Sequence, residues 1–408
     1  MTAREYPVFT VTPKAERSLR AGHPWVYGEE VTAVEGAYQN GDMVDVVSNK
    51  GRYLGTGWVN DHSKIRVRII SRNANDTFDE AFFRRRVCYA LNYRKTVMGP
   101  VDYRCCRLIF GEADQFPGLT VDRFENILVT QVLSVGMERR KDWVYRALVE
   151  LLREDDEQID AIYERNDVAI RTLEGLEQGK GFYQMEGLKT DLSGHVTITE
   201  NGIKYDVDYI EGQKTGFFLD QKYNRQAAAK LARGRRVLDC FTHTGAFALN
   251  AAAAGAEHVT AVDVSAFALE LAAENGKRNG LTNLDYKCAD VFDLLTEMAK
   301  EKKCDYDYII LDPPAFTKSR ATAKNAYHGY KEINRKAMRL LPRGGYLATC
   351  SCSHFMTDEM FRKMLQEAAL DAGVTLRQIE ARQQAPDHPI LPEVPETDYL
   401  KFYLLQVV

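Results

Sequence analysis

A chain of 408 residues is longer than one ordinary domain and points to two or three. Apolar residues at 45% and charged residues at 27% describe a globular protein with ample material for a core. The net charge of −4 excludes a general attraction to polyanions, so a nucleic acid would have to meet a local basic patch.

The opening MTAREYPVFT has no apolar run after its first charges, so no signal peptide is expected. No stretch approaches the length of a bilayer span, and the expectation is a cytoplasmic protein with no membrane partner. Short β segments follow at 43–47, 53–59 and 65–70. The last alternates strictly, with Lys64, Arg66 and Arg68 on one face and Ile65, Val67 and Ile69 on the other. Two readings stand side by side: a solvated edge strand guarded by cations, or a phosphate-contacting RNA face.

A helix is expected over 79–98 and another over 139–153, with strands at 103–109, 119–124, 127–133, 159–164 and 168–171. A hairpin at 196–200 and 203–207 turns on Asn201-Gly202, a favoured two-residue connection. From 236 the rhythm changes. Strands at 236–241, 258–262, 284–287, 306–311 and 345–350 alternate with helices at 246–254, 266–279, 291–302, 330–340 and 358–372. The expected class is α/β, with three domains. These are a small β-rich domain at 1–72, an α+β domain at 73–190, and a Rossmann-like doubly wound domain at 191–408.

In doubly wound sheets ligands sit at the carboxyl ends of the strands. The first strand runs into Asp239-Cys-Phe241-Thr-His-Thr244-Gly245, which has neither the glycine spacing of a dinucleotide loop nor that of a P-loop. The next strands end in Asp263-Val-Ser265, in Asp290-Val291 and in Asp312-Pro313-Pro314. A lone strand-end aspartate is often a helix cap. Successive ones suit the hydroxyls and cationic centre of S-adenosylmethionine (SAM) better than a pyrophosphate.

The eight cysteines lack the spacing of a disulfide framework or a zinc knuckle, so they read as reduced thiols and no metal is expected. By alternation Cys350 and Cys352 point the same way, Cys350 as a small buried apolar side chain. Cys352 lies at the strand's carboxyl lip. A thiolate there could add to C6 of cytosine and make C5 nucleophilic enough to take a methyl group.

DCFTHTGAFAL, TAVDVSAFALELAAENGKRNGL, DYIILDPPAF, GGYLATCSCSHFMT and QQAPDHPI occur in that order. Together with RSLRAGHPWVY, GEADQFPGLTVDRF and GQKTGFFLDQKYNR upstream, they resemble the bacterial 23S rRNA (cytosine-C5) methyltransferases with an N-terminal PUA domain. The resemblance covers nearly the whole chain. It implies a SAM pocket lined by Asp239, Phe241, Thr244, Gly245, Asp263, Ser265, Asp290, Val291, Asp312 and Pro313. Gln213, Thr215, Asp220 and Gln221 would approach from the preceding segment. Cys352 would be the nucleophile and Asp312 the acid on the cytosine N3/N4 edge. The implied partner is 23S rRNA or an assembly intermediate containing it, held by the upstream domains, with a homodimer as the candidate oligomeric state.

The loop DPPAFTKSR also resembles that of guanine-modifying relatives, and it lacks the second cysteine found there in many cytosine-C5 enzymes. Methylation of guanine or another base without cysteine chemistry is therefore a second reading. A non-catalytic RNA-binding assembly factor is a third. His243 could cap a helix or touch SAM, His388 could pack near the active site, and Tyr330 with Lys331 could reach RNA or be ordinary surface.

Overall fold

A computed structural model describes residues 5–301, 304–317 and 319–408. The chain divides into two compact units. One comprises Met1–Ile198, Val207–Leu219 and Pro386–Thr397, and the other Thr199–Asp206, Asp220–Ala385 and Asp398–Val408.

The first unit carries two sheets. In the six-stranded sheet the spatial order is Trp25–Tyr27, Ile65–Ser71, Tyr53–Val59, Met43–Ser48, Val8–Val11 and Val31–Glu35. Val67 and Ile69 turn into a core with Phe9, Val11, Val44 and Val46, as their alternation requires. Ile65–Ser71 is flanked on both sides, so the edge-strand reading is corrected. The five-stranded sheet runs Gly179–Phe182, Ala161–Asn166, Ile127–Val132, Leu119–Phe124 and Cys105–Phe110. Its long helix, Glu80–Asp102, starts where the Asp79 carboxylate accepts the Phe82 amide at 2.9 Å, and it kinks at Gly99-Pro100.

The strand expected at 168–171 is instead a 3-10 helix, Ala169–Glu174, closed by left-handed Gly175. Ile170 and Leu173 face solvent, while Arg171 and Glu174, three apart, are buried. The apparent alternation therefore has no sheet to bury against.

In the second unit, labels follow chain order. The strands are β1 (Arg236–Cys240), β2 (His258–Asp263), β3 (Leu284–Cys288), β4 (Tyr308–Leu311), β5 (Tyr346–Ser351), β6 (Leu376–Arg382) and β7 (Lys401–Val407). The helices are α1 (Lys222–Ala229), α2 (Ala246–Ala253), α3 (Ala266–Arg278), α4 (Val291–Glu301), α5 (Ala323–Leu340) and α6 (Asp358–Ala372). The sheet order is β3-β2-β1-β4-β5-β7-β6, with β1–β5 parallel and β7 inserted antiparallel between β5 and β6.

Both sheet faces are covered, so the strands read as apolar runs. Leu238, Ile309 and Leu311 pack with α5 and α6 on one side, and Val237, Tyr308 and Ile310 with α2 on the other. The order reverses between β1 and β4, which opens a crevice at their carboxyl ends.

Strands β6 and β7 were absent from the sequence reading, as were Val8–Val11, the helix Pro13–Arg20, Trp25–Tyr27 and Val31–Glu35. The helix expected to reach 302 is described to Glu301, and Lys302 lies outside the described residues. The expected loop DPPAFTKSR likewise includes Lys318, which lies outside them.

The hairpin His195–Glu200 and Ile203–Asp208 turns through Asn201 (φ 53°) and Gly202 (φ 80°), both left-handed as a tight type I′ turn demands. Glu200 ends its first strand fully buried, with its Oε1 2.6 Å from Nη1 of Arg225 on α1. Removing one partner leaves the other charge buried and uncompensated. Glu200→Ala is therefore expected to cost about 3–5 kcal/mol of stability. Urea unfolding checks this, and a loss below about 1 kcal/mol would count against the pair.

Candidate active site

The crevice is organised by the loop after β1. Asp239 is fully buried. Its Oδ2 accepts the Thr242 hydroxyl at 2.5 Å and the Ala248 amide at 2.9 Å. These bonds fold the loop back onto the start of α2. Phe241 (φ 64°), His243 (φ 52°) and Gly245 (φ 83°) all take left-handed backbone, a concentration of strain for two side-chain-bearing residues. A Cβ on Gly245 would lie 2.9 Å from the Ala272 Cβ, so glycine lets α3 approach here.

Asp263, at the end of β2, accepts the His243 amide at 2.9 Å on one oxygen and the Ser265 amide at 3.0 Å on the other. Ser265 itself caps α3 by accepting the Ala268 amide. Asp290 is exposed and accepts the Asp293 amide at 3.1 Å in the first turn of α4, while Val291 beside it is buried. Thr244 is buried and contacts the His243 ring nitrogen at 3.4 Å. Burial holds the His243 imidazole below the ordinary value.

After β4, Asp312 Oδ1 accepts the Gln221 amide at 3.0 Å, and Gln221 Oε1 accepts from Asn224 at 2.6 Å. The Cys350 thiol faces the same Asp312 and Gln221. Cys350 is buried as expected, but its sulfur is an active-site contact rather than mere packing. The strand alternation that paired it with Cys352 was the available signal. Asp220 accepts the Tyr399 hydroxyl at 2.6 Å. Pro313 is buried, and its carbonyl oxygen lies 4.0 Å from the Cys352 sulfur. Cys352 is half-buried.

The electrostatics are those of a cation-binding crevice. Burial pushes Asp239 up to about 7, and the charges of Asp312 and Asp263 add to the shift. Burial likewise pushes Asp312 up to about 6, with Arg225 opposing and Asp220 adding. Asp239 Oδ1 is buried without a hydrogen-bond partner. A group carrying positive charge and hydrogen-bond donors fits this arrangement, and SAM brings a sulfonium and an ammonium.

Other expected residues are placed elsewhere. Tyr330 is fully buried within α5, its hydroxyl 2.9 Å from the Ser353 hydroxyl, so the surface and RNA-reaching readings are corrected. Lys331 pairs with Glu367 and Asp371. In the other unit, Gln213 is exposed, and the buried Thr215 donates its hydroxyl to Asp122 at 2.6 Å. His388, also there, is buried against Asp387 at 2.9 Å and packs on Phe110.

Of the cationic row, Lys64 is exposed, and Arg66 ion-pairs with Asp61 at 2.7 Å. Arg68 is a correction. It is 11% exposed and locked to Glu174 at 2.6 Å and Glu112 at 3.6 Å, so its charge is already neutralised. Sequence reasoning also missed Lys401, the first residue of β7, which is buried beside Ser353.

Residues 182–405 match the family model described as S-adenosylmethionine-dependent methyltransferase, and residues 9–72 one described as a PUA-like domain. The ribosomal RNA large subunit methyltransferase I of Pseudoalteromonas atlantica is 40% identical over 401 residues, covering 98% of this chain and 99% of that protein. The protein of that name from Aeromonas salmonicida is 42% identical over 391 residues, covering 95% and 96%.

Among solved structures, a Streptococcus mutans protein described as a SAM-dependent methyltransferase shares the fold. Its TM-score is 0.81 at 22% identity, covering 98% of this chain and 100% of that one. A second, described as a methyltransferase complexed with SAH, gives 0.82 at 22% with the same coverage. The strand-end acids and the left-handed loop thus belong to a SAM-dependent methyltransferase, and the chain is a member of the ribosomal RNA large subunit methyltransferase I family.

Proposed function

We propose that this rRNA methyltransferase forms 5-methylcytosine in 23S rRNA, with Cys352 as nucleophile. The observation that carries the reading is the half-buried Cys352 at the carboxyl lip of β5, 4.0 Å from the carbonyl of Pro313, the residue that follows Asp312. Bound SAM supplies an electrophilic methyl group. The Cys352 thiolate would add to C6 of a flipped cytosine and so make C5 nucleophilic enough to take the methyl group. A base then takes H5 and the C6–S bond breaks, which returns the thiol. Asp312, whose carboxyl is held near 6, would present a proton to the cytosine N3/N4 edge. Asp263 would hold the ribose hydroxyls with the lone pairs its two amide bonds leave. Asp290 and Val291 would border the adenine, and Asp239 would act through the loop it folds. Asp220 and Gln221 would flank the methyl-transfer end. The PUA-like segment would contribute Lys64 and Arg66 to RNA binding, without Arg68.

Cys352→Ala is expected to abolish methylation while calorimetry still records SAM binding. Near-normal turnover would instead favour a base modified without cysteine chemistry. Asp263→Ala is expected to raise the SAM dissociation constant on the order of 10- to 100-fold, the loss of charge-assisted hydrogen bonds. An unchanged constant would remove Asp263 from the pocket.

Burial places the folded pKa of Asp312, about 6, above its unfolded value. Ionising it therefore opposes folding. The penalty is absent below about pH 4 and fully present above about pH 7. Asp312→Asn should gain on the unmodified protein by about 2–3 kcal/mol between those limits. Thermal unfolding across pH reads this directly, and a pH-independent difference would contradict it.

A further inference from the structure

Lys401 opens β7 opposite Ser351 of β5. It is 4% exposed, and its Nζ donates to the Ser353 carbonyl at 2.7 Å and the Tyr399 carbonyl at 2.8 Å. Cys352 therefore sits between the residue that pairs with Lys401 across the strands and the residue whose carbonyl holds the ammonium. We propose that Lys401 is the positioning residue that stabilises the Cys352 thiolate, through a buried positive charge set behind the nucleophile. The proposal rests on reading Cys352 as the nucleophile.

The choice of partners is the argument. Arg225, another buried cation, lies against a carboxylate that offsets its charge. The hydrogen bonds of Lys401 to Ser353 and Tyr399 go to neutral carbonyls, which orient the ammonium but leave its charge in place. Such a charge in a poorly polarisable surround favours a nearby anion strongly.

The ionisable groups that face Lys401 are Asp398 ahead of β7, Asp358 at the start of α6, and Cys352. Asp358 is engaged by the Tyr403 hydroxyl and by Arg362, and Asp398 Oδ2 accepts Gln383 at 3.1 Å. Burial pushes Lys401 down to about 8, which leaves most of it charged at neutral pH, and Cys352 opposes that shift. The attraction is mutual. Tyr330 and Cys350 also face Cys352. A purely structural Lys401 would staple β7 to the lip of β5 without altering the thiol.

The test follows Cys352 alkylation by iodoacetamide against pH in the full chain, without RNA, with the adduct located by mass spectrometry. Lys401→Gln keeps a donor and loses the charge, Lys401→Met loses both, and Lys401→Arg keeps the charge. Calorimetric SAM binding reports that each variant is folded. The two neutral variants should move the Cys352 midpoint upward and slow alkylation at neutral pH roughly 3- to 10-fold. Lys401→Arg should stay near the original midpoint.

An unchanged midpoint in a SAM-binding Lys401→Gln protein overturns the proposal. Should the neutral variants fail to bind SAM, the unmodified protein decides. A Cys352 midpoint at or above that of a free thiol, about 8.5, overturns the proposal, and a lower one supports it. Methylation by Cys352→Ala is measured separately, so a failed nucleophile reading is distinguishable from a failed role for Lys401.

Discussion

The active crevice depends on one buried carboxylate. Asp239 ends the central strand in full burial, and its two bonds, to the Thr242 hydroxyl and the Ala248 amide, close the loop that carries three left-handed residues. An ionised carboxylate in that position is costly, which is why burial lifts it to about 7. The fold holds it there because the bonds direct the His243 amide onto Asp263 and bring α3 against Gly245. Neighbouring elements of the crevice inherit their placement from that loop.

The strained loop and the crowded acids work in the same direction. Asp263 and Asp312 both repel Asp239, and Asp239 and Asp312 sit well above ordinary carboxylate values. A cationic cofactor relieves that repulsion, so part of the field that disfavours the empty crevice becomes binding energy for SAM. The Gln221 amide holds Asp312 from the side, with the Cys350 thiol facing it.

Much of this was legible in the sequence because it is local. Apart from the polar edge strand β3, each parallel strand of the catalytic sheet is a short, largely apolar run that ends at or beside an aspartate or cysteine, and period and punctuation identify both. What was not legible depends on long-range register. The contact of Cys350 with Asp312 requires β5 beside β4 in one alignment. Arg68 looks free until Glu112 and Glu174, distant in the chain, close on it. Tyr330 was misjudged because α5 was expected to begin there. The helix begins at Ala323, and Ala326, Tyr330, Ile333 and Ala337 form its buried stripe at three- and four-residue steps. The polar edge strand β6 shows too little contrast with its neighbours for periodicity to mark it, whereas β7 is an apolar run of the same kind as the others and was passed over.

β7 matters out of proportion to its visibility. A parallel neighbour of β5 would need a crossover helix and would run its carboxyl end toward the same crevice. An antiparallel neighbour brings its first residue there instead, so Lys401 lies against the lip of β5. The sheet thus gathers carboxylates on the side of β1, β2 and β4 and sets one buried ammonium beyond β5. In the proposed reaction these are the two charges that must be met: a sulfonium donor over the acids, and a thiolate at the last parallel strand. Inverting a single strand is what allows one sheet to offer both.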